Sequence, residues 1–244
     1  MNPNCWQLEG QLARLALPGL TAVVDAARPA EGLTSVALRD RASQGASLLG
    51  VSASAFSNPA NSLAEWHVRG HDLFAVYESE QPDAVRLDIR WNVDFPAHGD
   101  SRLVQIDLLI SIRTDQLGWR HAIYVDSCLP DSRAFQLVDP ERGRFEPALD
   151  LDCAIGSCLL FCAKEGWCYA ELVRPTDPCR ATLTAAGDAS SGIHLRRQLF
   201  PSAALEKGVI LRTRIRALFF QHEADLKLLA RGYKDFVTAD MPLE

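Results

Sequence analysis

Three arginines alternate with other residues in one short segment near the C-terminus, Arg212-Thr213-Arg214-Ile215-Arg216. Alternate residues of a β-strand point to the same face of a sheet, so these three guanidinium groups would lie side by side. Their like charges repel one another unless carboxylates or an anionic ligand lie opposite. Because a guanidinium presents a rigid fork of donors, it suits carboxylate, phosphate and hydroxyl partners. The segment therefore predicts either a surface for a polar or anionic ligand or a set of cross-strand ion pairs.

Two upstream segments can supply the groups opposite these arginines. In residues 85–95 the odd positions are apolar and the even positions, including Arg90, are polar. In residues 103–115 the phase is reversed, and Asp107 falls on the polar side. The alternative to a binding surface is a hydrated sheet face whose ion pairs contribute about 0.2–1 kcal/mol each. The predicted ligand contacts on this face are Arg90, Asp107, Arg212, Arg214 and Arg216.

A second candidate site combines aromatic rings with a carboxylate. Residues 157–163 and 167–173 form a predicted hairpin across a three-residue turn, and one face of its second strand carries Trp167, Tyr169 and Glu171. Aromatic rings can stack on sugars, and a carboxylate can accept hydrogen bonds from sugar hydroxyls. Tyr169 and Glu171 are therefore predicted to form a secondary ligand site. The alternative is a half-buried sheet surface under a loop or helix, since aromatic residues favour strands in general.

The pairing of both hairpins can be predicted from their patterns. In the first hairpin, either Phe95 pairs with Arg102 or the register is shifted by two, because a slip of one residue would mix apolar and polar faces. In the second hairpin Cys162 lies opposite Cys168. These two cysteines are either bonded or, as a reducing compartment favours, buried thiols.

The sequence contains few signals for metal binding or for nucleophilic catalysis. His67 and His71 would share a helix face, as metal ligands do, but Gly70 and the strand that follows favour a loop. We therefore expect no metal site and no cofactor. The sequence contains no G-x-S-x-G, phosphate-binding loop or G-x-G-x-x-G motif. If the protein is an enzyme, Glu171 or His121 is the predicted proton-transfer group.

Composition narrows the class of protein. The chain has 244 residues, of which 48% are hydrophobic and 23% charged, with a net charge of −6. An acidic chain without a basic stretch is not expected to bind nucleic acid. It has no stretch of 18 apolar residues and no secretory signal, so we expect no membrane segment and a cytoplasmic location, where its seven cysteines are thiols. The oligomeric state stays open.

The alternation of apolar and polar residues predicts a mostly β protein. We expect one β-rich domain over residues 1–244, an antiparallel β-sandwich or supersandwich with a C-terminal α-helix. The helix is predicted within residues 221–237, a weaker helix within residues 7–17, and a flexible loop over residues 176–192. Further strands are predicted at residues 21–25, 32–39, 47–51, 73–78, 193–200 and 208–220.

Two blocks of the sequence, together with the C-terminal M-P-L-E, resemble a bacterial family that has no assigned function. They are W-H-V-R-G-H-D-L-F-A-V-Y-E (residues 66–78) and L-E-K-G-V-I-L-R-T-R-I-R-A-L-F-F (residues 205–220). The layout of residues 21–51 also resembles the first strands of mutarotase-like supersandwich proteins. This second resemblance implies sugar binding on the polar face of a large curved sheet. The catalytic His and Glu of those proteins have no match here, so epimerase activity is not implied.

Together these observations predict a non-catalytic module that binds a polar or anionic carbohydrate-like ligand on a sheet face. A carbohydrate-active enzyme of the isomerase, epimerase or lyase type is the alternative. A third interpretation is a scaffold or dimer in which the sheet face is an interface between proteins. A sandwich fold by itself does not decide among these functions.

Overall fold

The computed structural model describes residues 4–56, 62–78, 85–94, 103–115, 118, 122–148, 152–153, 157–177, 179–185, 192–201, 206–221 and 226–239. In chain order its elements are β1 (Trp6–Glu9), β2 (Leu12–Leu17), β3 (Leu20–Asp25), a 3-10 turn (Pro29–Glu31), β4 (Leu33–Leu38), β5 (Arg41–Ala42), β6 (Ser47–Ala53), β7 (Leu63–Arg69), β8 (Asp72–Glu78), β9 (Val85–Asp94), β10 (Leu103–Thr114), β11 (Ile123–Leu129), β12 (Ser132–Asp139), β13 (Arg144–Pro147), β14 (Asp152–Cys153), β15 (Cys158–Ala163), β16 (Trp167–Val173), β17 (Cys179–Ala185), β18 (Ile193–Leu199), β19 (Ile210–Gln221) and the helix α1 (Leu226–Thr238).

The strands form two antiparallel sheets. Sheet I has the order β1-β2-β3-β4-β6-β11-β18-β17-β14, with β5 paired to β4. Sheet II has the order β13-β12-β15-β16-β19-β10-β9-β8-β7. The predicted antiparallel sandwich with a C-terminal α-helix is therefore confirmed. None of the helical residues that the structure describes forms a helix long and apolar enough to cross a membrane.

The main core lies between the two sheets. Every second residue of β9, from Val85 to Val93, is buried in it, and so are the alternate residues of β10 from Val104 to Ile112. Trp91, Trp167 and Phe161 are among its largest fully buried side chains. Burial of one such side chain contributes about 1.5–3 kcal/mol to folding, so the period-two pattern determines which face of each strand turns inward.

The predicted hairpin registers are found, one of them in its alternative form. In the β9–β10 hairpin Gln105 pairs with Asp94 and Asp107 pairs with Asn92, which is the register shifted by two. Both registers keep the apolar residues on one face, so the pattern could not separate them. In the β15–β16 hairpin Cys162 lies opposite Cys168, as predicted.

Two elements differ from the sequence prediction. Residues 7–17 do not form a helix; they belong to the β1–β2 hairpin, whose turn contains Gly10 at φ 63°. Ala13 and Leu15 alternate with exposed residues on β2, and this period of two outweighs the weak helical spacing. Within residues 176–192, the segment Cys179–Ala185 is strand β17 rather than loop. Its residues from 179 to 184 alternate between buried and exposed, and the strand pairs with β18.

The predicted C-terminal helix is confirmed over Leu226–Thr238, and the strand before it, β19, extends to Gln221. Its buried residues are Leu229, Ala230, Tyr233 and Phe236. They pack on the outer face of sheet II in a second apolar cluster with residues of β15, β16 and β19. The helix thereby covers one half of this outer face, and the half formed by β7, β8, β9, β10 and the start of β19 carries the polar residues.

Candidate ligand-binding face

The polar half of the outer face of sheet II consists of three cross-strand rows, each with one residue from β7, β8, β9, β10 and β19. The serine row is Glu65, Val76, Asp88, Ser111 and Arg212. The phenylalanine row is His67, Phe74, Arg90, Leu109 and Arg214. The aspartate row is Arg69, Asp72, Asn92, Asp107 and Arg216. The predicted residues therefore share one sheet face, part of which the C-terminal helix covers.

An open cavity of about 580 Å³ lies on this face. The serine row lines it completely, together with most of the phenylalanine row and the β7 end of the aspartate row. The volume falls within the range of about 300–1,000 Å³ that is typical of small-molecule sites. Of the predicted ligand contacts, Arg90 and Arg212 line this cavity, whereas Asp107, Arg214 and Arg216 lie outside it.

The phenylalanine row forms a stack across three strands. The His67 ring lies 4.9 Å from the Phe74 ring at an interplanar angle of 14°. The guanidinium carbon of Arg90 lies 5.3 Å from the centre of the same ring. Because β7 and β9 flank β8 on opposite sides, His67 and Arg90 occupy the two faces of Phe74. A ligand in the cavity therefore meets the exposed imidazole and the guanidinium rather than a face of the Phe74 ring.

Arg90 is held in place by the aspartate row. Its Nε and Nη2 atoms donate to the two carboxylate oxygens of Asp72 at 3.0 and 2.9 Å. Asn92 donates to the same carboxylate at 2.6 Å. A bidentate guanidinium–carboxylate pair is both strong and orientationally specific. Arg90 therefore enters the cavity as an oriented donor rather than as a mobile surface side chain.

The floor of the cavity places three different polar groups on adjacent strands. Asp88 on β9 lies opposite Ser111 on β10, which lies opposite Arg212 on β19. One oxygen of Asp88 accepts a hydrogen bond from Nε of Arg86 at 2.8 Å. Arg86 also pairs with Glu78 at 3.0 Å. A carboxylate, a hydroxyl and a guanidinium thus follow one another along the floor.

The remaining predicted contacts of this face attach the helix. Arg216 donates to both oxygens of Asp107 at 2.7 and 2.8 Å, and Arg214 lies 3.7 Å from the same carboxylate. The guanidinium groups of Arg214, Arg216 and Arg174 lie 4.7, 4.9 and 5.5 Å from the centre of the Phe236 ring. Burial lowers the pKa of Arg214, the side chain of which is only 4% exposed. These arginines lie beneath the helix.

The second predicted site, Tyr169 and Glu171, lies inside the sandwich. One carboxylate oxygen of Glu171 accepts hydrogen bonds from Tyr169 and Ser127, and the other accepts one from Arg197. All four side chains are buried, and burial raises the pKa of Tyr169 well above its ordinary value. The surface that the sequence suggested is an interior face, because β16 is buried on both sides.

The paired histidines and the paired cysteines of the sequence lie in two different β-hairpins. His67 lies on β7 and His71 in the turn before β8, so they are part of a hairpin rather than of one helix face. His121 lies outside the described residues. Cys162 and Cys168 are two thiols whose sulfur atoms are 3.2 Å apart, and Cys168 donates.

The sequence reasoning missed Asp88, Ser111, His67 and Glu65 as members of one cavity. A signal for the first two existed, because both fall on the polar sides of alternating strands. Glu65, His67 and Arg69 also alternate with partly buried residues of β7. The pairing of β7 with β8, which brings these residues to the cavity, needed the tertiary structure.

Comparison with protein-family models finds no match, and comparison with curated proteins finds no significant match. Among solved structures, the chain is similar to an aldose epimerase homologue from C. elegans, with 13% identity, a TM-score of 0.51 and coverage of 85% of this chain and 98% of that one. It is also similar to a galactose 1-epimerase from Lactobacillus acidophilus NCFM, with 11% identity, a TM-score of 0.46 and coverage of 86% and 95%. A heparan sulfate lyase from Pedobacter heparinus matches with 7% identity, a TM-score of 0.47 and coverage of 91% and 37%.

The first of these likenesses assigns the fold. The chain is a β-sandwich of the kind seen in the aldose epimerase homologue, which confirms the predicted layout likeness to mutarotase-like proteins. At 13% identity the likeness shows the fold alone. The predicted resemblance to a bacterial family of unassigned function receives no support from the family models.

Proposed function

We propose that this protein binds a carbohydrate, without turnover, in the open cavity on the outer face of sheet II. The observation that carries the proposal is the floor formed by Asp88, Ser111 and Arg212, on three neighbouring strands of that cavity. Arg90 adds an oriented guanidinium from the next row. These four residues include two of the predicted contacts, Arg90 and Arg212.

The chemistry of the floor suits a polyol. A carboxylate accepts hydroxyl hydrogen bonds, a guanidinium donates them, and a serine hydroxyl does both. Neighbouring strands lie about 4.8 Å apart, so the three groups span about 10 Å, which is comparable to a sugar ring with its hydroxyls. The name of the similar aldose epimerase homologue also points to carbohydrate chemistry.

The proposal is tested by thermal unfolding and calorimetric titration with neutral hexoses and pentoses. A ligand at 100 times its dissociation constant adds about 2.7 kcal/mol to the stability of the folded state. We expect Asp88→Asn and Ser111→Ala to weaken binding about tenfold, the value of one lost hydrogen bond to a charged or well-placed partner. Ser52→Ala on sheet I is the matched control, since Ser52 is a partly exposed strand serine remote from this face.

Two outcomes would contradict the proposal. One is that no sugar of the panel binds or raises the melting temperature. The other is that a sugar binds equally well to the wild-type protein and to the Ser111→Ala and Asp88→Asn variants, which would place the ligand elsewhere.

The second candidate function is an isomerase or epimerase that acts on a sugar. The observation in its favour is that an imidazole and two carboxylates, from His67, Glu65 and Asp88, line the same cavity. A general acid and a general base within reach of one substrate can transfer protons to and from a sugar. Glu171 and His121 are the residues that the sequence suggested for this role. Glu171 is hydrogen-bonded in the interior, and His121 lies outside the described residues.

Anomer interconversion of the bound sugar, followed by proton NMR, separates the two functions. An enzyme accelerates interconversion with a pH profile that His67→Gln alters, whereas a binding module leaves the spontaneous rate unchanged.

A further inference from the structure

We infer that the ligand is an acidic sugar, and that its anionic group is held by Arg212 on the cavity floor and by Arg113 beside the cavity. This inference rests on the proposed function and names the substrate class of the same site. The relevant part of the face is the anion corner, defined as Arg86, Ser111, Arg113 and Arg212.

The geometry of the corner follows from strand pairing. Ser111 and Arg113 are two residues apart on β10 and therefore face the same side of the sheet. Arg113 lies directly opposite Arg86 on β9. Arg212 lies directly opposite Ser111 on β19, which makes it the diagonal neighbour of Arg113. Diagonal neighbours on one sheet face are about 7–8 Å apart at their α-carbons, within reach of long side chains. The two guanidinium groups can therefore approach a single anionic group from two strands.

Arg113 differs from Arg86, Arg90 and Arg216, each of which pairs with a carboxylate on this face. Asp72 accepts two hydrogen bonds from Arg90, and Asp107 accepts two from Arg216. Arg86 likewise pairs with Asp88 and Glu78. Among the residues that the structure describes, however, no carboxylate pairs with the exposed Arg113.

Like charges directly opposite each other in a sheet are unfavourable, and Arg86 and Arg113 are such a pair. The exposed Arg212 is the diagonal neighbour of Arg113 on the same face. An oxyanion placed between Arg113 and Arg212 would offset this repulsion with charge-assisted hydrogen bonds. Ser111 adjoins both arginines on this face, opposite Arg212 and two residues before Arg113, so its hydroxyl can donate to the same group or to the sugar ring.

The surroundings favour a sugar acid over a larger polyanion. The chain as a whole carries a net charge of −6, and the carboxylates of Asp88, Glu65 and Glu78 border the corner. A nucleic acid would meet repulsion beyond this corner. A single carboxylate or phosphate attached to a sugar ring presents its charge to the arginines and its hydroxyls to Asp88. A uronic acid and a sugar phosphate share this chemistry.

Binding of matched sugars tests the inference. Glucose, glucuronate and glucose 6-phosphate, with galactose and galacturonate as a second set, are titrated into the full-length protein. We expect an acidic sugar to bind about tenfold more tightly than its neutral parent, because a charge-assisted hydrogen bond exceeds a neutral one. Arg113→Gln should bring the ratio of the two affinities close to one. Arg14→Gln, an exposed arginine of sheet I, should leave the ratio as in the wild type.

The outcomes distinguish failure of this inference from failure of the proposed function. A loss of the acidic-sugar preference in Arg113→Gln and at high salt supports the inference, and the acid that shows it, carboxylate or phosphate, identifies the group. Equal binding of neutral and acidic sugars to the wild-type protein overturns the inference and leaves the proposed function standing. Absence of binding by every sugar overturns both. Inorganic phosphate that competes with an acidic sugar, but not with a neutral one, also supports the anion corner.

Discussion

Arg197 and Glu171 form an ion pair of 2.8 Å across the interior of the sandwich, and neither side chain is more than 1% exposed. Arg197 comes from β18 of sheet I and Glu171 from β16 of sheet II, so the pair joins the two sheets. Arg197 also donates to Ser157, while Tyr169 and Ser127 donate to Glu171. These hydrogen bonds connect the two sheets at defined positions within an otherwise apolar interior.

Removal of one partner of this pair should be costly. Glu171→Gln leaves the buried guanidinium of Arg197 without its counter-charge, and we expect the free energy of unfolding in urea to fall by about 3–5 kcal/mol. Asp126→Asn is the matched control, because it breaks the ion pair with Arg196, whose side chain is 52% exposed. Such a surface pair contributes about 0–1 kcal/mol. Equal losses in the two variants would refute this assignment.

If Glu171→Gln does not fold, the double variant Glu171→Leu with Arg197→Met keeps the question open to measurement. Replacement of a buried ion pair by apolar residues of similar volume is often neutral or stabilising. We therefore expect the double variant to recover most of the loss. A double variant less stable than the single one would show that the charges themselves stabilise the fold.

Docking of the C-terminal helix should depend on Phe236. This ring is fully buried and contacts three guanidinium groups, from Arg174, Arg214 and Arg216. Phe236→Ala should reduce the free energy of unfolding by about 3–5 kcal/mol, the usual cost of a phenylalanine deleted from a core. Leu228→Ala, on the exposed side of the same helix, should change it by less than about 0.5 kcal/mol. The amide hydrogens of α1 should exchange faster in Phe236→Ala but not in Leu228→Ala. Equal exchange rates of these amides in the two variants would contradict the prediction.

Arg90 and Arg196 offer a matched test of which sheet face binds ligand. Each guanidinium makes two hydrogen bonds to one aspartate, Asp72 or Asp126, and each lies over an aromatic ring at 5.3 or 5.1 Å. Arg90 lines the cavity of sheet II, whereas Arg196 lies on the outer face of sheet I. We expect Arg90→Gln to weaken sugar binding about tenfold, as the loss of one charge-assisted hydrogen bond does.

Arg196→Gln should bind sugar as the wild type does, and titration calorimetry measures both affinities. Similar stabilities of the two variants would show that the difference arises from binding. A larger effect of Arg196→Gln would move the ligand to sheet I.

Alkaline pH should destabilise the protein in part through Tyr233. Burial in the helix–sheet interface raises the pKa of its phenol to about 12. The ordinary pKa of tyrosine is about 10, so between these values the unfolded state loses a proton that the folded state retains. The unfolded state then binds fewer protons, and the free energy of unfolding falls as pH rises through this window.

Urea unfolding at several pH values tests this prediction. Tyr233→Phe should flatten the decline between pH of about 10 and 12, since it removes the titrating group. Burial also raises the pKa values of Cys5, Tyr77, Tyr169, Cys128 and Cys158, so these groups contribute overlapping declines. The test is therefore the difference in slope between Tyr233→Phe and the wild type, and an unchanged slope would count against the role of this phenol.

Much of the fold could be predicted from the sequence because period-two alternation reports the two faces of a strand directly. The polar sides of residues 85–95 and 103–115 and the alternating arginines of β19 lie on one sheet face, as expected. The helix was also visible, since Leu229, Tyr233 and Phe236 recur at helical spacing. The two-residue ambiguity in the β9–β10 register remained, because both registers bury the same side chains.

The sequence by itself determined which residues share a face, and the tertiary structure decided what covers each face. Tyr169 and Glu171 lie on one side of β16 as the alternation indicates, yet that side became the interior because sheet I packs on it. Arg212 and Arg214 share a strand face, but only Arg214 lies beneath Phe236. The alternation of side chains between the two faces of a strand follows from the local geometry of the backbone. The docking of a helix or a second sheet depends instead on apolar area contributed by distant segments. For that reason the polar surface was predictable and the position of the open cavity on it was not.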